Sequence, residues 1–330
     1  MFLKAIILSA GLTATAAAQV TSVNLSNYTL TQTINLPTPS LTETSANPYN
    51  WDNGHLYAMG DNGTFIVEMS LLGVPISSMS LSGFEDTEGL TYLGGSQFVI
   101  AEERLQRLYR FTYIPGGTLV RSSLQNAALG ATVGNEGIEG VCFEPLTGLY
   151  FAVKEKTPAR ILRATVNFPA GTATVTDLFD PALLGILDLS DIAVLSTVPS
   201  LVGTPDQDNL LIISQASARL VKATRTGQVL GFIDFTGLST TAEGVSIDSQ
   251  GTIYITDETP KLFIFKPHPC SPNCDASTTP PVLTANDFQC FLNAFASGVS
   301  TANCDNSTTP PVLTANDFQC FLNAFAAGCT

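Results

Sequence analysis

A chain of 330 residues with only 13% charged side chains is nonetheless acidic, with 28 Asp and Glu against 14 Lys and Arg and a net charge of −14. Without a basic run, that balance excludes nucleic acid and anionic membrane surfaces as partners. Past the N-terminus no stretch approaches ~18 uninterrupted apolar residues, so no membrane span is expected.

Residues 1–18, MFLKAIILSAGLTATAAA, hold one early lysine (Lys4), a short apolar run and Ala16-Ala17-Ala18 ahead of Gln19. This is the layout of a secretory signal, and the apolar run is too short and too poorly flanked to be a membrane anchor. Cleavage is expected near Ala18-Gln19, leaving a secreted protein that is extracellular or attached to the cell surface. Next, TLTQTINLP (29–37) has strand composition but no neighbouring strand to pair with.

A degenerate repeat fills 43–267. Its units are ETSANPYNWDNGHLYAMGD (43–61), DTEGLTYLGGSQFVIAEER (86–104), GIEGVCFEPLTGLYFAVKEK (137–156), DLSDIAV (188–194) with LLIISQ (210–215), and TAEGVSIDSQGTIYITDE (241–258). Anchored on Ser45, Glu88, Glu139, Ser190 and Glu243, they recur every 43 to 53 residues, the period of propeller blades rather than of helical solenoids. In each, a short strand, a Gly/Asn turn, a second strand, an acidic corner and a third strand follow one another, and most units add a fourth.

The last unit stops after its third strand, LFIFKP (262–267). The unpaired 29–37 segment is expected to close the ring there, which removes exposed sheet edges. The expected fold of 19–267 is therefore an all-β propeller of five blades, with six as the alternative if the insert at 195–209 conceals strands. The strings DTEGLTYL, QFVIAEER, IEGVCFEP, LYFAVKEK, AEGVSID and GTIYITDE resemble the SdiA-regulated family of bacterial β-propellers. That resemblance implies the fold and no settled activity. The fourth unit departs from the pattern, with Ser214-Gln215 where an acidic pair is expected.

If the first strand of each blade lines the axis, its start and the end of the antiparallel second strand lie on one face. The first column is Ser45, Glu88, Glu139, Ser190 and Glu243; the second is Asp61, Glu103, Glu155, Gln215 and Glu258. Seven of these ten positions are carboxylates, which repel one another unless a cation, raised pKa values or basic neighbours relieve them. Arg104, Lys154 and Lys156 are the basic neighbours, and Ca²⁺, with its preference for oxygen, is the expected cation.

Three readings of this face stand side by side. The acids clasp backbone N–H groups of adjacent blades, and the propeller is a non-catalytic interaction scaffold; or they bind a cation or a small or polymeric ligand; or they form a Ca²⁺-dependent hydrolase site for lactones, phosphoesters or phytate, by fold-level analogy. No catalytic residue is named. His55 and His268 are read as surface imidazoles, Cys142 as a core residue, and Trp51 as either a ligand platform or a structural plug. There is no GxSxG, HExxH, phosphate loop or zinc spacing.

A Pro-rich boundary, Pro267, Pro269 and Pro272, separates the propeller from two near-copies, 271–300 and 301–330. Each has a polar loop and DFQCFLNAF, whose Phe288, Phe291, Leu292 and Phe295 share one helix face. Thr284 and Thr314, each with Asp three residues on, resemble capping boxes. The loop oxygens Asn273, Asp275, Ser277 and Asp287, then Asn303, Asp305, Ser307 and Asp317, follow the logic of an EF-hand-like Ca²⁺ loop lengthened by TTPP; plain Asx turns with a helix cap are the alternative. The units are similar to a GC-type dockerin, which implies attachment to a cohesin-like protein or to the cell surface. Six cysteines (Cys270, Cys274, Cys290, Cys304, Cys320 and Cys329) form a disulfide framework, with fifteen connectivities open; a Cys270–Cys329 clasp is expected if the units pack with pseudo-twofold symmetry.

Overall fold

The computed structural model describes residues 20–37, 40–267, 272–275, 277, 281–304, 307 and 310–328. The signal segment, His268, Cys270, Asp305 and Cys329 lie outside the described residues. Among those described, no helix is long and apolar enough to cross a membrane.

Residues 28–267 form five sheets, the blades of a propeller, with neighbouring strands antiparallel but for one short added strand. The innermost strands are Thr44–Ala46, Thr87–Gly94, Ile138–Glu144, Asp191–Val194 and Ala242–Ile247. They touch one another in a ring, the last against the first. Tyr28–Asn35 pairs antiparallel with Lys261–Pro267 as the outer strand of blade 5, so strands from the two ends of the domain complete one sheet. The predicted closure and the five-blade count are both present.

One strand departs from the expected meander. Thr118–Val120, between the third and fourth strands of blade 2, pairs in parallel with Pro75–Ser82 and adds a fifth layer to blade 1.

Side chains alternate along each strand, so both faces of every blade carry an apolar set. The result is five apolar layers, one between each pair of neighbouring blades; Phe98, Tyr92 and Tyr57 fill the layer between blades 1 and 2, Phe151 and Leu189 that between blades 3 and 4. At the axis the blades approach so closely that the Gly of the repeated Glu-Gly pair has no room for a Cβ. A Cβ on Gly89 would lie 2.9 Å from Val141 Cγ1, and one on Gly140 would lie 2.5 Å from Asp191 Cα. The glycine in this motif is thus a packing requirement rather than a turn signal.

The insert at 195–209 contains two 3₁₀ turns, Leu195–Thr197 and Pro199–Leu201, and no strand, which removes the six-blade alternative. It receives the N-terminal segment. Val23, fully buried, donates its N–H to Asp206 Oδ2 at 2.6 Å and accepts Lys222 Nζ at 2.7 Å on its carbonyl; Lys222 and Asp206 form a buried ion pair beneath it.

The C-terminal segment holds α1 (Ala285–Ala296) and α2 (Ala315–Ala327). Thr284 with Asp287 and Thr314 with Asp317 form complete capping boxes, with Asp in the place usually taken by Glu. The predicted phenylalanine faces meet: the Phe291 and Phe321 rings stack at 4.1 Å, joined by Phe288 and Phe318. Cys274 bonds Cys290 and Cys304 bonds Cys320, so each disulfide ties one loop to its own helix.

Candidate functional site

The acidic end of the axis is built by bulges. Pairing between first and second strands slips by a residue between Thr44 and Ala46, Thr87 and Gly89, Ile138 and Gly140, and Ala242 and Gly244. The skipped residues are Ser45, Glu88, Glu139 and Glu243, the first predicted column. A bulge takes its extra residue out of the ladder and re-aims its side chain. In blade 4 the equivalent Ser190 stands just ahead of the strand and donates its N–H to Ile213 O at 3.0 Å.

The second column closes the same end. Asp61, Glu103, Glu155 and Glu258 each follow the last residue of a second strand, and their N–H groups donate to the carbonyls of Glu43, Asp86, Gly137 and Thr241. Each of those carbonyls belongs to the residue two before an anchor, so the two columns are tied to each other.

The side chains meet in two overlapping groups. Carboxylate oxygens of Asp86, Glu88 and Glu103 lie within 4.8 Å of one another, as do those of Glu103, Glu139 and Glu155. Glu103 belongs to both. Burial, then the charges of Asp61, Asp86 and Glu103, push the Glu88 carboxyl up to about 8. Burial and a hydrogen bond with Asp86 bring Glu103 to about 7, and burial with the nearby Glu43 brings Asp61 to about 6. Glu243, buried and facing Glu88 and Glu258, rises to about 9. Glu139 is also raised, by burial and by Glu88, Glu103 and Glu243.

The basic neighbours relieve only the rim. Arg104 Nε stands 2.8 Å from Asp86 Oδ2, as a charge contact without hydrogen-bond alignment, and its Nη2 donates to Asn135 Oδ1 at 2.9 Å. Lys156 pairs with Glu155, while Lys154 turns away to the carbonyls of Lys156 and Thr157. In blade 4 the predicted gap is filled by a donor: Gln215 Nε2 donates to Glu243 Oε1 at 3.0 Å. One interblade clasp is present in the column, with Glu103 Oε1 accepting the Gly137 N–H of blade 3 at 2.8 Å.

Asp86 was not among the residues singled out from sequence, although a signal existed: it stands two before its anchor, as Asp188 does in blade 4. Clustered, partly protonated carboxylates can share protons or surround a hard cation with oxygen.

The other sequence candidates lie elsewhere. His55 Nδ1 is 2.8 Å from Glu68 Oε1 at the far end of blade 1, where Glu68 also accepts from Ser77 and Asn53. Cys142 is a free, buried thiol whose pKa burial pushes up to about 12, consistent with a core residue. Trp51 meets Tyr92 edge-on at 4.6 Å, beyond the opposite end of the axial strands.

In the tail, the described loop oxygens serve as caps. Asp287, fully buried, accepts Asp275 N–H at 3.1 Å on Oδ1 and Thr284 N–H at 2.7 Å on Oδ2; Asn273 bridges Ser277 through both its amide atoms. Asn303 repeats the bond to Ser307 O at 2.9 Å, and Asp317 that to Thr314 N–H at 2.7 Å. A carboxylate has lone pairs to spare beyond one cap per oxygen, so Asp275 and Asp287 fit a cation as well as an Asx turn.

The pattern of the SdiA-regulated family matches residues 21–266. Among solved structures the chain is similar to glutaminyl cyclase of Myxococcus xanthus, with 15% identity over 72% of this chain and 95% of that one and a TM-score of 0.49. It is also similar to virginiamycin B lyase of Staphylococcus aureus (14% identity, 71% of this chain and 69% of that one, TM-score 0.39) and to a chain of a nidogen–laminin complex (14%, 67% and 74%, TM-score 0.45). No activity is carried over from these likenesses.

Proposed function

The chain belongs to the SdiA-regulated family, and we propose that its propeller binds a divalent cation, Ca²⁺ first among them, at the acidic end of the axis. The observation that carries this reading is Glu103 standing in both carboxylate groups, with Asp86 and Glu88 on one side and Glu139 and Glu155 on the other. A cation between them would displace the protons that Glu88, Glu103 and Glu139, with their raised pKa values, hold more tightly than free glutamate, and the bound ion would offer a docking point for an oxygen-rich ligand. Titration calorimetry at neutral pH tests this. Ca²⁺ binding should release protons, since the acids must ionise to ligate, and Glu103→Gln should remove it. Absence of heat with Ca²⁺, Mg²⁺ and Mn²⁺ alike would sink the reading.

The remaining features give the protein its setting. A cleaved signal near Ala18-Gln19 delivers it outside the cell, and the tail, 268–330, is a dockerin-like attachment unit for a cohesin-like or surface partner. Calcium at the tail loops would bind through Asp275 and Asp287, with Asp305 and Asp317 as their copies. A hydrolase at the acidic end is the weaker reading, because the one histidine among the described residues, His55, is committed to Glu68 and does not stand among the clustered acids to serve as base.

A further inference from the structure

The innermost strands run on from the acidic end into a cleft walled by all five blades, with Trp51, Tyr92, Phe143, Asp191 and Ser246 among its lining. We propose that this cleft is a second binding site, which takes the hydroxyl- or amide-bearing end of an uncharged aromatic molecule.

Three observations carry the assignment. The first is Ser246, only 5% exposed, whose Oγ lines the cleft and has no hydrogen-bond partner. A buried hydroxyl left unpaired costs free energy and is rare in native proteins, so a partner belongs there. Both wall threonines are engaged: Thr91 Oγ1 accepts Phe143 N–H at 2.9 Å, and Thr197 donates to Val194 O at 2.7 Å.

The second observation is the mouth. Trp51 and Tyr92 meet edge-on, and the Tyr92 hydroxyl is fixed by Asp52, which also accepts Gly95 N–H at 2.9 Å. Tyr92 is itself buried and backs the half-buried indole, so Trp51 offers a preset surface to another ring. The third is charge. No Lys or Arg lines the cleft, so nothing compensates an anion. Its one acid, Asp191, is buried, which pushes its carboxyl well above the usual carboxylate range, and its Oδ2 is taken up by Val245 N–H at 2.8 Å, which makes it a poor anchor for a cation.

Size settles how the molecule enters. The enclosed space is about 40 Å³, room for a few waters or about three heavy atoms. A ring stays at the mouth against Trp51 while its polar substituent reaches Ser246.

Trp51 is the only tryptophan of the chain, so its fluorescence reports this cleft alone. The full-length protein, excited at the red edge where tyrosine does not absorb, is titrated with benzyl alcohol and with benzamide. Both should change the emission saturably, whereas benzoate and benzylammonium should not. The response should persist in chelator, which separates it from the acidic end. Ser246→Ala should weaken binding about 2- to 10-fold, the worth of one hydrogen bond, and Ala193→Phe should fill the cleft and abolish it. No saturable change, equal responses from the charged analogues, or affinity untouched by Ser246→Ala would overturn the assignment, the last of these even if Ala193→Phe failed to fold. A cleft that holds only water would give the first of those results.

Discussion

Two repeats share this chain and are held together by different means. The blade repeat is degenerate in sequence but regular in geometry; its described residues contain no disulfide, and Cys142 stays free. The tail repeat is nearly a copy, and each of its units carries a loop-to-helix disulfide. The difference follows from how much surface each can bury. Five interblade layers supply the propeller with a core that needs no staple, and ring closure leaves its outer strands paired on their inner side. The tail has one small cluster around Phe291 and Phe321, and a module of that size needs covalent help.

The largest effect should come from reduction. Breaking Cys274–Cys290 and Cys304–Cys320, each a class of bond worth about 2–5 kcal/mol in a small domain, should unfold the tail and leave the propeller intact. Chymotrypsin would then cut at the tail phenylalanines in reductant only. A tail still resistant after reduction would break the comparison.

Next in size is the lock between the N-terminal segment and blade 4. Lys222→Met leaves Asp206 buried without its ion-pair partner, at a cost of about 3–5 kcal/mol. The propeller's denaturant midpoint should fall while the tail keeps its protease resistance in the absence of reductant. An unchanged midpoint would mean that the strap contributes nothing. Gly140→Ala should cost less, about 1–3 kcal/mol by overpacking, because its Cβ would press on the Asp191 backbone. Its effect, read from the same midpoint, should again spare the tail.

The last effect is electrostatic and confined to the propeller. Glu103, Glu88 and Glu243 have folded pKa values of about 7, 8 and 9 against 4.5 for a free glutamate. The folded state therefore holds protons more tightly, and the stability this gives is present below 4.5 and lost as pH rises through the folded values. In chelator the propeller's melting temperature should fall between about pH 5 and pH 9, and Glu243→Gln should flatten the fall. Added Ca²⁺ should also reduce it. A melting temperature that rises over this range would refute the shared burial of these acids.

The blades were legible because their signal is local. Turn glycines, alternating strands and a fixed period need no knowledge of neighbours, and the unpaired 29–37 segment pointed to ring closure by its lack of a partner. The two carboxylate columns were legible for the same reason, since a repeat aligned on Glu-Gly places equivalent residues at equivalent heights. Asp86 escaped because its role appears only once the bulge at Glu88 turns that side chain toward Glu103. The Asp206–Lys222 lock escaped because its partner, Val23, is distant in sequence and contributes backbone atoms only.

The sequence alone determined the blade repeat, where the ring closes, which helix faces pack in the tail and which residues cap them; that the blades number five and not six waited on the 3₁₀ turns of the 195–209 insert. Each depends on contacts between residues close in the chain, on repetition, or, for the closure, on a strand segment left without a neighbour to pair with. Tertiary structure alone decided which cysteines pair, which carboxylates share an oxygen-lined space, and that the axis has a neutral aromatic cleft at its other end. Those depend on distances that no local pattern fixes, across 16 positions for each cysteine pair and 52 for Glu103 and Glu155 (155 − 103), and on which side chains lose their water when five blades close around one axis.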